Sequence, residues 1–202
     1  VAEQVVREER LRVGDAAVDG GVQRLLQQLH DLRALQVVLD DILLELPWGQ
    51  YFSRDSIRTC LLCDAAQDRH GILDIHCAVT ECLEVAGDAN TARGCWMFQS
   101  ITTAKDGEAR WIWYKADICF VPQGDDWKIW KLTIYPMFNA KFDEDWGKLP
   151  PTDWDQLAAE KHPDAPLAET PWHLGDPIRL WECYPPKPYA EWNETVLGRE
   201  SK

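Results

Sequence analysis

The pattern of apolar and polar positions changes character about one third of the way along the chain. From Val22 to Leu46 apolar residues recur every three or four positions, which predicts a long helix with one apolar face. Pro47-Trp48-Gly49 ends this helix, and Ser53-Arg54-Asp55-Ser56 predicts the start of a second, shorter one that ends near Cys63. Four later segments alternate or run apolar and are rich in β-branched and aromatic residues, which predicts strands: 73–85, 91–103, 110–122 and 127–138.

Short turn sequences separate these four strands, namely AGDAN, AKDGE and QGDD. Tight turns between consecutive strands predict an antiparallel meander, and helices followed by such a sheet predict the α+β class. The remainder of the chain is rich in proline and tryptophan, which predicts an extended arm without lasting regular structure, packed on the body or on a neighbouring subunit. The predicted organisation is therefore a lead over 1–21, a domain over 22–148 and an arm over 149–202.

The charge of the chain narrows the range of partners. Its 202 residues carry a formal net charge of −13. A surface this acidic repels phosphate backbones and anionic lipids, so neither a nucleic-acid nor a membrane partner is expected. The sequence contains no apolar run near 18 residues, and the N-terminal stretch VAEQVVREERLRVGD lacks the apolar core of a signal peptide. These features favour a cytoplasmic protein.

The cysteines and histidines do not follow the spacings of familiar metal or cofactor sites. The seven cysteines are odd in number and irregular in spacing, which favours free thiols in a reducing compartment. No two of the five histidines stand at i, i+4 on one helix, and no H-x-H occurs in the strands. The chain has no glycine-rich phosphate-binding motif and no G-x-S-x-G. No metal and no cofactor is therefore predicted.

The strand region resembles a known family. The segments HCAVTECLEVAGDANTARGCW, DGEARWIWYKADICFV and DDWKIWKLTIYPMF, with a following W-G-K, are similar to the SnoaL-like branch of the nuclear transport factor 2-like (NTF2-like) superfamily. The resemblance covers roughly residues 70–148. It implies a cone, in which N-terminal helices pack on a strongly curved, mainly antiparallel sheet around a deep pocket. It also implies a homodimer or homotrimer.

The function that the resemblance implies is a cofactor-free lyase or isomerase. Members of the superfamily include dehydratases, cyclases, isomerases and retro-aldol lyases, which move protons on hydrophobic, often aromatic or polycyclic molecules. The same fold also serves non-catalytic binding proteins, and an assembly or scaffold role is a third alternative. For both the enzyme and the binding protein, the expected partner is a hydrophobic, aromatic small molecule.

His76 and Asp40 are the first candidates for acid–base chemistry. His76 stands where dehydratases of the family place a pocket histidine, and an imidazole can accept and return a proton near neutral pH. Asp40, at the end of the predicted helix, resembles the family's aspartate that orients this histidine. The alternatives are a core histidine bonded to the backbone and a solvated surface carboxylate.

The last strand departs from the family pattern. WKIWKLTIY places Lys131 and Thr133 where relatives carry histidines. Strand alternation predicts that these two residues share one face with Trp127, Ile129 and Tyr135. If that face lines the pocket, Lys131 or Tyr135 would stabilise a developing oxyanion. Lys131 at the rim, with its ammonium group in water, is the alternative.

Further residues are candidates for contacting a bound ring or its polar groups. They are Tyr51, Trp96, Phe98, Trp113, Asp117 and Thr133. Each also has a structural interpretation. Tyr51 and Tyr135 would pack in the interior with one hydrogen bond each, and Asp117 would pair with Lys115. Because strand faces alternate, the aromatic candidates cannot all line one pocket.

Overall fold

The computed structural model describes residues 38–65, 72–103, 107–150, 152–167 and 190. They form one six-stranded sheet with the order β2-β1-β6-β5-β4-β3. The strands are β1 (Val38–Leu46), β2 (Gly49–Tyr51), β3 (Asp74–Val85), β4 (Ala92–Thr103), β5 (Ala109–Gln123) and β6 (Asp126–Lys141). Two helices accompany them, α1 (Arg54–Ala65) and α2 (Trp154–Lys161), together with a 3₁₀ turn over Trp146–Lys148.

The predicted meander is confirmed. The strands β3, β4, β5 and β6 pair antiparallel with their neighbours in sequence, and their bounds agree with the predicted segments to within three residues. The second predicted helix is also confirmed as α1. Its first turn is closed by Ser53, whose hydroxyl accepts from the Ser56 amide at 3.1 Å while the Ser56 hydroxyl accepts from the Ser53 amide at 3.2 Å.

The predicted long helix is wrong over its last nine residues, because Val38–Leu46 is strand β1. This strand pairs parallel with β6 and antiparallel with β2 across the turn Pro47-Trp48. A short apolar run fits a buried strand as well as a helix. Here the pairing with β6 shows that the segment is a strand. The rest of the predicted helix, residues 22–37, and the predicted lead over 1–21 lie outside the described residues. The domain boundaries therefore stay predictions.

The two faces of the sheet differ sharply in chemistry. The inner face carries the hydrophobic core, in which Phe98, Ile118 and Phe120 are almost fully buried. Helix α1 adds Ile57 and Cys60 to this core. The outer face carries a set of buried polar and charged side chains, namely Glu45, Arg93, Asp117 and Thr133.

A β-bulge at Trp130 sets which residues of β6 face inward. Cys119 pairs with Lys131 and Phe120 with Ile129, so Trp130 is an extra residue between them. One extra residue reverses the alternation of faces. Ile129 consequently lies in the core, whereas Lys131 lies on the outer face. The prediction that Ile129 and Lys131 share a face is therefore wrong.

A strand glycine makes room for the largest core side chain. Gly94 on β4 is followed by Trp96 on the same inner face, and a Cβ atom at Gly94 would overlap the indole ring. Trp96 is 1% exposed and meets Phe120 edge-to-face with a centroid distance of 6.2 Å. Glycine in a strand interior often marks such close approach.

The C-terminal segment contacts the body of its own chain. Gln50 and Ala165 form a β-bridge, in which the Gln50 amide donates to the Ala165 carbonyl at 2.8 Å. The Tyr51 hydroxyl donates to the Lys161 carbonyl at 3.1 Å. Helix α2 is a short regular element within the predicted extended arm: Asp153 caps its first turn, and His162, in the left-handed conformation, ends it.

The cysteines only partly follow the prediction of free thiols. Cys60, Cys77, Cys82 and Cys119 carry reduced thiols. Cys95 is disulfide-bonded, so the prediction is wrong at this position. Disulfides are rare in reducing compartments, and the expected cytoplasmic location loses the support it drew from the cysteines.

Among the helices of the described residues, none has the length and apolar character needed to cross a membrane.

Candidate functional site

Three strands bring His76, Ser100 and Tyr114 together on the inner face of the sheet. The His76 Nδ1 atom lies 2.7 Å from the Ser100 hydroxyl and 3.1 Å from the Tyr114 hydroxyl. Ser100 is fully buried, Tyr114 is 6% exposed and His76 is half-buried. We call this group the inner-face triad.

The strand register explains this convergence. His76 on β3 stands directly opposite Ser100 on β4, so the two side chains share one face. Tyr114 on β5 stands opposite Phe98, which lies two residues before Ser100 on β4. The Tyr114 ring stacks on Phe98 with a centroid distance of 4.8 Å and meets the imidazole edge-to-face. Since Phe98 is fully buried, it holds the phenol in place.

The triad can support proton transfer. A hydroxyl group donates and accepts hydrogen bonds, so it can donate to an unprotonated Nδ1 and accept from a protonated one. The imidazole can therefore change its protonation state without losing a partner. Two neighbouring hydroxyls also fix the plane of the ring, as positioning groups do for a catalytic histidine.

Asp40 does not join His76. Its carboxylate is 87% exposed and pairs with the guanidinium of Arg54 at 2.8 Å. In the pairing of β1 with β6, residues 39–42 lie opposite Trp130 alone, so Asp40 lies in an irregular part of the strand. Three strands separate β1 from β3 in the sheet. The predicted support of His76 by Asp40 is therefore wrong, because it assumed a helix at this position.

Lys131 and Thr133 lie on the opposite face of the sheet from His76. The Lys131 ammonium group pairs with Glu45 at 2.9 Å, and the Thr133 hydroxyl donates to the same carboxylate at 2.7 Å. The Gln50 side-chain amide donates to the other Glu45 oxygen at 2.8 Å. Glu45 is 1% exposed. The predicted catalytic role of Lys131 and the predicted substrate contact of Thr133 do not fit, because both side chains serve this buried network.

Asp117 also belongs to the outer face. Its carboxylate receives two hydrogen bonds from Arg93, at 2.9 Å and 2.6 Å. This geometry fits the structural interpretation of Asp117 as a paired carboxylate, with Arg93 as the partner that it contacts. Tyr135 stands opposite Lys115 on the same face, so it cannot serve an oxyanion beside His76.

The remaining predicted contact residues are spread over the molecule. Tyr51 is fully buried, and its hydroxyl accepts from the Trp48 indole at 3.0 Å and donates to Lys161. Burial and the neighbouring Cys60 raise its pKa, and its hydrogen bonds to Trp48 and Lys161 fit a structural residue. Trp96 is a core side chain, and Phe98 contributes to the site only through Tyr114. Trp113 lies on the outer face, where its ring stacks on that of Phe138.

Ser100 and Tyr114 are the site residues that sequence reasoning missed. Both stand in predicted strands, and Tyr114 follows the aromatic run Trp111-Ile112-Trp113. Alternation alone does not show which residue of a neighbouring strand stands opposite His76. The register of β3, β4 and β5 supplies that information.

Cys119 and the possible metal ligands of the described residues add no further catalytic group to the triad. Burial raises the pKa of the Cys119 thiol to about 12, so this cysteine is no thiolate nucleophile near neutral pH. Within the described ranges, no group of three or more His, Cys, Asp or Glu side chains is arranged to hold a metal ion.

The Glu45 network predicts an acid-sensitive fold. Burial alone would raise the pKa of Glu45, but the Thr133 hydrogen bond and the Lys131 charge outweigh it and lower the pKa from 4.5 to about 2. A lowered pKa in the folded state contributes stability above pH 4.5 that is lost as the pH falls toward 2. We expect the free energy of unfolding to decrease across this range by about 3 kcal/mol from this group. Urea unfolding at several pH values measures the decrease, and a Glu45→Gln variant should show a flatter profile.

Solved structures share this architecture. A proposed scytalone dehydratase from Novosphingobium aromaticivorans superposes with a TM-score of 0.59 at 12% identity, over 69% of this chain and 94% of its own. A hexachlorocyclohexane dehydrochlorinase, LinA-type3 from Novosphingobium barchaimii, gives 0.58 at 14% identity, over 71% and 99%. The β subunit of a benzoate 1,2-dioxygenase from Burkholderia mallei gives 0.52 at 13% identity, over 60% and 89%. No family model and no curated protein sequence matches the chain.

These likenesses define the class of fold. The chain has the NTF2-like fold predicted from its sequence, with a curved, mainly antiparallel sheet and few helices. At 12–14% identity they establish the fold and not the activity.

Proposed function

We propose that this chain is a cofactor-free lyase or isomerase that uses His76 for general acid–base catalysis on a hydrophobic, ring-bearing molecule. The observation that carries the proposal is the contact of His76 Nδ1 with the Ser100 and Tyr114 hydroxyls. Two structural neighbours are named for eliminations, one of water and one of hydrogen chloride, and they support this class of reaction.

In the proposed elimination, the imidazole takes a proton from a carbon atom of the ligand. The electron pair of the broken C–H bond forms a double bond to the adjacent carbon, whose leaving group departs with its own bonding pair. A hydroxide leaving group takes this proton back from the imidazolium and departs as water, which returns His76 to its neutral form. In an isomerisation the imidazole instead returns the proton to a different carbon. Ser100 and Tyr114 keep the imidazole hydrogen-bonded in both protonation states.

Deuterium exchange tests the proposal without knowledge of the leaving group. The protein is incubated in D₂O with hydroxylated, halogenated and carbonyl-bearing ring compounds, and incorporation of deuterium at carbon or loss of the leaving group is followed by NMR. We expect turnover of at least one compound, and a decrease of about 10²-fold or more in His76→Gln. Tyr114→Phe should decrease the rate less, because Ser100 still contacts Nδ1.

Tyr135→Phe provides a matched control. Like Tyr114→Phe, it removes one tyrosine hydroxyl, but this hydroxyl lies on the outer face, so turnover should not change. Equal rates in His76→Gln and the unmodified protein would exclude His76 as the proton carrier. Circular dichroism of each variant shows whether the fold is retained.

A non-catalytic binding protein or assembly subunit is the second candidate. It is favoured by the positions of Asp40 and Lys131, which were expected to complete the acid–base site and instead serve other contacts. A structural neighbour that is the β subunit of a larger enzyme agrees with such a role. Ligands that bind the unmodified protein and His76→Gln equally, with no exchange in either, would favour this candidate.

The assembly state and the location are also proposals. A homodimer or homotrimer is expected, and light scattering coupled to size-exclusion chromatography measures it. A cytoplasmic location can be tested by fractionating cells that express the protein.

A further inference from the structure

Five aromatic side chains form stacked pairs on the outer face of the sheet, where β5 begins and β6 ends. Trp111 stacks on Phe142 with a centroid distance of 6.0 Å, and Trp113 stacks on Phe138 at 6.4 Å. Phe138 also stacks on Trp146 at 5.6 Å. The paired planes lie within 20–23° of parallel. The rings therefore present flat faces with similar orientations.

Within the described residues, these rings line an open cleft of about 510 Å³. The cleft is lined by Trp111, Trp113, Phe138, Ala140, Lys141, Phe142, Glu144 and Trp146. Phe142 is 68% exposed and Trp146 is 61% exposed, so the two rings expose much of their surface to solvent. A volume of this size and a mainly apolar, aromatic lining are typical of sites for small molecules.

The size of the cleft favours a small ligand over a protein. Stable protein interfaces use about 20–30 residues on each side, whereas eight of the described residues line this cleft. The charged groups at the cleft balance one another. Lys141 and Arg110 both pair with Glu108, at 2.6 Å and 2.5 Å, and Glu144 adds a second carboxylate to the lining, so two positive groups face two negative ones. The net charge of −13 further opposes the approach of an anion.

We propose that this cleft binds a flat, uncharged aromatic ring system. The ligand lies on the exposed ring faces, because the stacked pairs are too close together to admit another ring between them. The cleft is separate from the inner-face triad, since Trp113 stands opposite Gln99 on the outer face, whereas Ser100 faces inward. The proposal therefore does not depend on the proposed catalytic function.

Titration of ¹⁵N-labelled protein with 1-naphthol tests the proposal. We expect saturable shifts of the indole N–H signals of Trp111, Trp113 and Trp146. The charged analogue 1-naphthoate should bind at least tenfold more weakly. The double variant Phe142→Ala/Trp146→Ala should weaken naphthol binding at least tenfold.

Two control variants test whether naphthol binding belongs to the cleft. Phe52→Ala removes an exposed aromatic ring elsewhere, and His76→Gln alters the inner-face triad; neither should change the affinity of the cleft. The proposal is overturned if naphthol does not saturate the cleft signals, if the double variant binds normally, or if naphthoate binds equally well. If the indole N–H signals shift with protein concentration in the absence of ligand, a second copy of the chain occupies the cleft. That result also overturns the proposal.

Discussion

Replacing Lys131 with methionine is expected to lower the free energy of unfolding by about 3–5 kcal/mol, because it leaves the buried Glu45 carboxylate without its counter-ion. Lys131 has a side chain that is 12% exposed, and Glu45 is 1% exposed, so water cannot replace the lost partner. Methionine keeps most of the lysine stem, so the change mainly removes the charge. Urea unfolding at neutral pH measures the difference.

The double variant Lys131→Met/Glu45→Gln is the matched control for this loss. It removes both charges of the pair together, and the glutamine carbonyl can still accept from Thr133. Most of the stability should therefore return. A loss below 1 kcal/mol in Lys131→Met alone would mean that the ion pair is solvated like an ordinary surface pair.

Replacing Gly94 with alanine should cost roughly 3 kcal/mol, at the upper end of the range for overpacked cores. The new methyl group would overlap the Trp96 ring, which is enclosed by the core and cannot move without displacing Phe120. Urea unfolding measures the loss, and the near-ultraviolet circular dichroism of the tryptophans should change with it.

Gly147→Ala is the comparison for this substitution. Gly147 lies in the 3₁₀ turn, where, among the described residues, an added Cβ would meet only the Asp145 side chain. Its effect should stay within about 0.5 kcal/mol, as for most surface changes. Equal stabilities of the Gly94 and Gly147 variants would show that the Trp96 ring does not lie against Gly94.

The strands are easier to predict than the residues that meet on them. Strands β3 to β6 follow directly from alternation and turn residues, because each turn joins neighbours in sequence. Strand β1 is mistaken for helix, since its run VLDDILLEL satisfies both periods. Its assignment depends on pairing with β6, which lies more than 80 residues away in sequence.

In the candidate site, too, one residue is predicted from the sequence and its partners depend on the tertiary structure. His76 is a candidate from the sequence, and the structure places it half-buried on the inner face. The prediction that Asp40 supports His76 is wrong, because Asp40 lies in a strand and not at the end of a helix. The prediction for Lys131 fails because Trp130 forms a bulge that reverses the faces of β6. The actual partners of His76, Ser100 and Tyr114, can be recognised only once the register is known.

By itself the sequence determined the α+β class, the four-stranded meander, helix α1 and the acidic character of the surface, because these follow from local periodicity, turn chemistry and composition. The tertiary structure alone decided that Val38–Leu46 is a strand, that Glu45 pairs with Lys131 on the outer face, and that His76 meets two hydroxyls on the inner face. The physical reason is that a change of register by one residue moves a strand's side chains to the opposite face of the sheet. Pairing between distant segments sets that register.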